Sequence, residues 1–164
     1  MRPAGSLRGM ASLLPTIRPA VESDAAAIRQ LIAEAGINPR DLDWRRFLVA
    51  DAGSGAIACA QVRVHGGGSR ELASVAVTAA HRGQGLGRAI SEAAIKRELV
   101  RPLYLYCEAS NAAFWTKFGF REISGDAVPG DLQKALRVAR VAVAIYSTVV
   151  RRRIRIVVMR RADR

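Results

Sequence analysis

The sequence has only two cysteines, two histidines and three lysines, and no uninterrupted apolar run of membrane-spanning length. Each scarcity excludes something. Cys59 and Cys107 stand far apart inside apolar, strand-like runs, where a thiol serves as a small buried hydrophobe, so a reducing cytoplasm is expected rather than a disulfide framework. Two histidines and two cysteines, scattered along the chain, give no metal-ligand spacing, and no metal is expected. A helix crosses a bilayer with roughly 18 or more apolar residues. Arg137, Arg140 and Arg151 to Arg153 interrupt the most hydrophobic stretch, so no membrane partner is expected.

Acidic side chains are also few, 14 against 26 basic ones, and the formal charge is +12. A charge of this size suits nucleic acid, an anionic surface or a polyanionic small ligand. The densest run, Arg151-Arg152-Arg153-Ile154-Arg155, leads into an apolar strand-like segment and reads as a solvated strand edge. No RNA-reading or zinc-finger motif accompanies it, and nucleic acid is not the favoured partner.

At 164 residues, half of them apolar, the chain can bury one full core, and residues 16–164 read as a single domain without repeats. Met1 to Pro15 carry Arg2 and Arg8, no acid, and two prolines. They read as a disordered extension, as a mis-started leader with Met10 the true start, or as a short transit peptide.

Thr16 to Pro19 is a short strand, followed by a helix that Glu22-Ser23-Asp24 cap and Gly36 stops. Phe47 to Asp51, Ala56 to Val64 and Glu71 to Val77 are strands two to four, joined by the glycine turns Gly53-Ser54-Gly55 and Gly66-Gly67-Gly68. Leu86 to Leu99 is an amphipathic helix, and the crossover to strand five, Leu103 to Cys107, implies parallel pairing with strand four. A short helix over Asn111 to Phe118, strand six over Phe120 to Ile123, a long helix from Asp131 to about Ser147 and a last strand over Ile154 to Met159 complete the pattern.

Between strand four and its helix stands Arg82-Gly83-Gln84-Gly85-Leu86-Gly87-Arg88. Glycines at a strand-to-helix turn let backbone approach a ligand, and successive amides with the helix N-terminus then point at one anion, for which a pyrophosphate is suited. A Walker loop would need Gly-Lys-Ser or Gly-Lys-Thr, and a dinucleotide fingerprint would need glycine where Arg88 stands.

The segment resembles the signature of the GNAT superfamily of N-acetyltransferases, with Arg82, Gly85 and Gly87 at its defining positions. The likeness extends to Val75-Ala76-Val77, to Phe114 through Phe120 and to the strand order, about residues 16 to 160. It implies an α/β (α+β) fold with a mixed, mostly antiparallel sheet, helices on both faces and strands four and five splayed apart. It implies acetyl-coenzyme A as cosubstrate and a primary amine, of a small molecule or a protein, as acceptor, with a homodimer compatible. Val75, Ala76 and Val77 would bind the pantetheine arm. Arg82, Gly83, Gln84, Gly85, Leu86, Gly87 and Arg88 would hold the pyrophosphate, and Phe114 and Trp115 would lie beside the thiol end. A coenzyme A-binding module without catalysis and a basic nucleic-acid-binding protein are the alternative readings.

Acetyl transfer needs a deprotonated amine, a polarised carbonyl and a tolerated thiolate. Glu71, eleven residues before Arg82, has the spacing of the glutamate base in histone-acetylating relatives; a surface carboxylate paired with Arg63 or Arg70 is the competing reading. A main-chain amide near Ala76 or Val77 would polarise the carbonyl. Trp115 occupies the position where many relatives carry an acidic tyrosine, which turns attention to Tyr106. Tyr104, Tyr106 and Glu108 share one face of strand five, as site lining or as packing. His65 and His81 are expected to be exposed, and Trp44-Arg45-Arg46 to form a solvated face or an acceptor wall.

Overall fold

A computed structural model describes residues 14–150 and 153–162. Its strands are β1 (Thr16–Pro19), β2 (Phe47–Asp51), β3 (Ala56–Val64), β4 (Arg70–Val77), β5 (Leu103–Glu108), β6 (Arg121–Ile123) and β7 (Ile156–Arg161). The helices are α1 (Ala25–Glu34), α2 (Leu86–Arg97), α3 (Ala112–Thr116) and α4 (Gly130–Val150). All strands join one sheet in the order β1-β2-β3-β4-β5-β7-β6. Every pairing is antiparallel except that of β4 with β5.

Strand alternation sends neighbouring side chains to opposite faces. Leu48, Ala50, Leu72, Leu103, Leu105, Val157 and Met159 pack with Ile90, Ala94 and Ile95 of α2. Phe47, Val49, Cys59 and Ala76 meet Ile28, Leu31 and Ile32 of α1, while Tyr104 and Val158 meet Leu132 and Leu136 of α4. The sheet is thus covered by α2 on one face and by α1 and α4, side by side, on the other.

Two polar ties fix the second face. Arg18 reaches Asp24 at 2.7 Å and Asp51 at 2.7 Å, binding β1, the start of α1 and β2 together. Hydrogen bonding to Arg18 holds both carboxyls below the usual range. Asp131, at the start of α4, accepts from the Gly67 amide (3.1 Å), the Ser69 amide (3.2 Å), the Ser69 hydroxyl (2.8 Å) and its neighbour's amide at Leu132 (2.9 Å). A Cβ at residue 67 would sit 2.8 Å from the Asp131 carboxylate, so the close approach requires glycine.

Several boundaries differ from the sequence reading. α3 is shorter than Asn111 to Phe118, because Phe118 and Gly119 turn back onto Trp115 and Thr116 in tight three-residue bonds of 3.0 Å. α4 continues to Val150, and β7 begins at Ile156 instead of Ile154. β7 lies between β5 and β6, so the arginine run does not mark a sheet edge; Arg155 precedes the strand and pairs with Glu122 at 3.4 Å. Arg151, Arg152 and the reading of residues 1–13 lie outside the described residues. Among the described residues no helix is long and apolar enough to cross a membrane.

Asp131→Ala removes the acceptor for the turn between β3 and β4, and a loss of roughly 1–2 kcal/mol is expected by denaturant unfolding. Burial acts to raise the Asp131 carboxyl, but its hydrogen bonds outweigh this and hold it below 3.8. With the folded value lowered, the stabilisation is complete above the unfolded value and is lost as pH falls through the folded one. The difference between wild type and variant should therefore shrink below about pH 4.

Candidate active site

β4 and β5 pair only at Arg70 with Leu103 and at Glu71 with Tyr104. Beyond that point β4 stays with β3 as far as Val77, while β5 stays with β7 as far as Glu108. The two halves of the sheet diverge, and the β5-facing edge of β4 from Leu72 onward is left without a strand partner. Ser74 adds a bulge, with φ +56°, where the register against β3 shifts.

At the far end of β4 the chain makes a tight turn and enters α2. Thr78 Oγ1 bonds His81 Nδ1 at 2.8 Å, which leaves His81 partly covered, not exposed as expected. Arg82 Nε donates to the Val77 carbonyl at 3.2 Å, and Gln84 Nε2 to the Ala80 carbonyl at 3.2 Å, so both side chains brace the loop. Arg88 pairs with Glu92 at 2.9 Å. Gly83 and Gly85 take φ of +76° and +81°, a region that side chains disfavour, and a Cβ on either would meet open space.

The first backbone bond of the helix runs from Ala89 N to Gly85 O at 3.0 Å. Among the described residues the amides of Gly83 to Arg88 have no protein acceptor. A row of unpaired amides at a helix N-terminus carries partial positive charge and is an anion site by construction.

The divergence of the strands opens a cleft of about 540 Å³, within the range of small-ligand sites. Val75, Cys107, Asn111 and Trp115 line one part of it. Arg40 from the α1–β2 connection, Arg63, His65, Glu71, Tyr106 and the α4 residues Ala135, Val138 and Ala139 line the rest. Trp115 is held by ring contacts to Phe114 (4.9 Å), Phe118 (5.8 Å) and Phe120 (6.2 Å). Phe114 itself is 37% exposed and supports Trp115 from outside the cleft.

Glu71 is not a surface carboxylate. It is 3% exposed, and its oxygens meet Arg63 at 3.2 Å and His65 Nε2 at 2.7 Å. His65, expected in the open, is only 16% exposed at its side chain. Tyr106 gives its hydroxyl proton to the Leu132 carbonyl at 2.9 Å; burial, then the Glu71 charge, push its phenol well above the ordinary range. Tyr104 turns into the α4 packing and does not line the cleft. Burial likewise raises Cys107, at the cleft wall, to about 11. Trp44-Arg45-Arg46 form a tight turn outside the cleft, with Arg45 4.5 Å above the Trp44 ring and Arg46 paired to Asp41 at 2.8 Å.

Sequence reasoning missed His65 and Arg40 as cleft residues, and Ser74 as the bulge. The first was findable: Arg63 and His65 alternate onto one face of a hairpin whose opposite strand begins with Glu71. Nothing in the local sequence signals a left-handed serine.

A divided sheet with an amide-lined loop at the split sets an anion site beside an open strand edge. Residues 43–122 match the family described as the acetyltransferase (GNAT) domain. The whole fold is similar to Rv2747 from Mycobacterium tuberculosis, solved with coenzyme A and a second ligand, at 25% identity and TM-score 0.67, covering 92% of this chain and 100% of that one. It is also similar to N-acetylglutamate synthase from Neisseria gonorrhoeae with coenzyme A and N-acetyl-glutamate (20%, TM-score 0.69, 91% of this chain). This chain spans about a third of that enzyme, 35% of its length. The ribosomal-protein-S18-alanine N-acetyltransferase from Escherichia coli shares the fold at 21% identity and TM-score 0.64, covering 91% and 94%. No curated protein sequence matches the chain. Over residues 43–122 the chain is thus similar to the GNAT acetyltransferase domain, and its fold is shared with these solved acetyltransferases.

Gly85→Val would strain the left-handed residue and set a branched side chain in front of the free amides. The expected result is loss of the thermal stabilisation that acetyl-coenzyme A confers by mass action, with cooperative melting of the unliganded variant retained. An undiminished shift would put the phosphates somewhere other than this loop.

Proposed function

We propose that the chain transfers the acetyl group of acetyl-coenzyme A directly to the primary amine of a small carboxylate-bearing acceptor such as an α-amino acid. The observation that carries this reading is the row of unpaired amides from Gly83 to Arg88 at the mouth of the divided sheet. In this reading the pyrophosphate rests on those amides and the pantetheine arm runs along Val75 to Val77, completing the open edge of β4. The thioester then reaches the cleft beside Trp115, where a main-chain amide near Ala76 or Val77 polarises the carbonyl.

The acceptor enters between the α1–β2 connection and α4. Arg40 is exposed at this rim, its guanidinium without a partner among the described residues, which suits a carboxylate. The relative that binds N-acetyl-glutamate supports an amino-acid acceptor by analogy. Glu71, buried between Arg63 and His65, serves amine deprotonation. Tyr106, kept protonated, is the phenol on the cleft wall and the proton source for the leaving thiolate; to donate, it must release the Leu132 carbonyl.

A thiol-release assay with L-glutamate, L-arginine, L-alanine and spermidine tests this. Amino acids are expected to turn over in preference to spermidine; thiol release with spermidine alone would overturn the acceptor class, and none with any amine the activity. Glu71→Gln should lower kcat by roughly 10²-fold while leaving acetyl-coenzyme A binding intact. Tyr106→Phe should slow turnover about 10²-fold, at the low end of such effects.

A further inference from the structure

The buried carboxylate and the histidine beside it form a pair that acetyl-transfer chemistry can use, and this inference rests on the reading above. Glu71 is 3% exposed, and a charge so placed needs compensation. Arg63 supplies the counter-charge at 3.2 Å, and the other oxygen lies 2.7 Å from His65 Nε2. A carboxylate oxygen that close accepts a hydrogen bond from its neighbour, so Nε2 carries the ring hydrogen. Nδ1 then holds the free lone pair, and it has no partner among the described residues. The ring lines the cleft and keeps 16% of its side chain in solvent, whereas Glu71 is sealed beneath it.

We propose that His65 is the proton acceptor of the reaction and that Glu71 is its positioning residue, holding the ring's tautomer and the charge it gains. The amine enters as an ammonium ion. One N–H bond breaks and an Nδ1–H bond forms on His65, directly or through one water. The neutral amine attacks the thioester carbonyl; a C–N bond forms, the C–S bond breaks, and the electron pair leaves on the thiolate sulfur. Tyr106 gives its proton to that sulfur and recovers one from the nitrogen, and the imidazolium returns its own proton to solvent. The groups facing His65 are Arg63 from β3, Glu71 from β4 and, through Glu71, Tyr106 from β5. Asp131 of α4 clamps the turn that carries the ring.

The arrangement explains why a glutamate buried under a guanidinium should still serve deprotonation. Glu71 alone is almost closed to water, while the dyad adds a nitrogen lone pair, without a partner among the described residues, on a ring that keeps some exposure. The turn from His65 to Ser69 is closed by His65 N to Ser69 O at 2.9 Å and anchored to α4 through Asp131, so the ring is held at a rigid corner.

His65→Gln tests this, because glutamine can still donate to Glu71 yet cannot accept the amine's proton. With the full chain and the fastest amino acid from the assay above, kcat is expected to fall roughly 10²-fold with an unchanged KM for acetyl-coenzyme A. The fall of wild-type kcat/KM toward low pH should disappear in the variant. Hydroxylamine, largely unprotonated at neutral pH, needs no base, so the variant should approach wild-type rates with it. A wild-type kcat and pH profile in His65→Gln overturns the assignment, and so does an equal loss with both acceptors. Should the variant fail to melt cooperatively, His65→Asn is read by the same criteria. Absence of amine-dependent thiol release from wild type sinks the function reading and this assignment with it; activity in wild type with an unimpaired variant sinks only His65.

Discussion

Backbone groups must be satisfied, and in this fold that requirement is left open at one place. β4 gives its β5-facing edge a partner for two residue pairs and then abandons it, while a few residues later the amides that open α2 find no acceptor in the protein. Both vacancies lie along one line, from the bulge at Ser74 to the glycines at 83 and 85. The rest of the molecule keeps that line open. α2 and its apolar stripe hold the β4 half, β7 and β6 hold the β5 half, and the aromatic cluster of Trp115, Phe118 and Phe120 props the wedge from the side. On the proposed reading, the amide-rich arm and two phosphates of acetyl-coenzyme A would satisfy what the protein leaves unsatisfied.

The two faces of the sheet divide the labour. The α2 side supplies the loop of unpaired amides, and what it offers is mostly backbone. The α1 and α4 side supplies side-chain chemistry: Arg40, Arg63, His65 and Glu71 on a floor walled by small residues of α4. Among the described residues several arginines are held in pairs with Asp24, Asp41, Glu92 and Glu122.

Much of this was legible in the sequence because it is carried by local devices. Glycine turns, the crossover helix and the Arg82 to Arg88 motif act over a few residues, and the β2-β3-β4 meander and parallel β4–β5 contact followed from them. What was not legible depends on distant packing. Glu71 could be placed on β4 by counting, but its burial comes from the α4 side of the fold, sixty residues away in sequence. The tyrosines of β5 could be assigned to one face, yet only the packing of α4 separates Tyr104, which is covered, from Tyr106, which reaches the cleft. The arginine run looked like an edge because its flanking strand was read alone; a late strand inserting between two earlier ones leaves no local trace.

The Asp131 bracket has a broader implication for how such a scaffold can change. By fastening α4 to the β3–β4 corner, it makes the α4 wall of the cleft, where the proposed acceptor enters, an appendage of the hairpin and not of the glycine loop. If the proposed roles hold, substitutions at Ala135, Val138 or Ala139 reshape the room for an incoming amine while the glycine loop, at the far end of β4, stays as it is. A lineage built this way can diversify what it modifies and keep the same chemical currency.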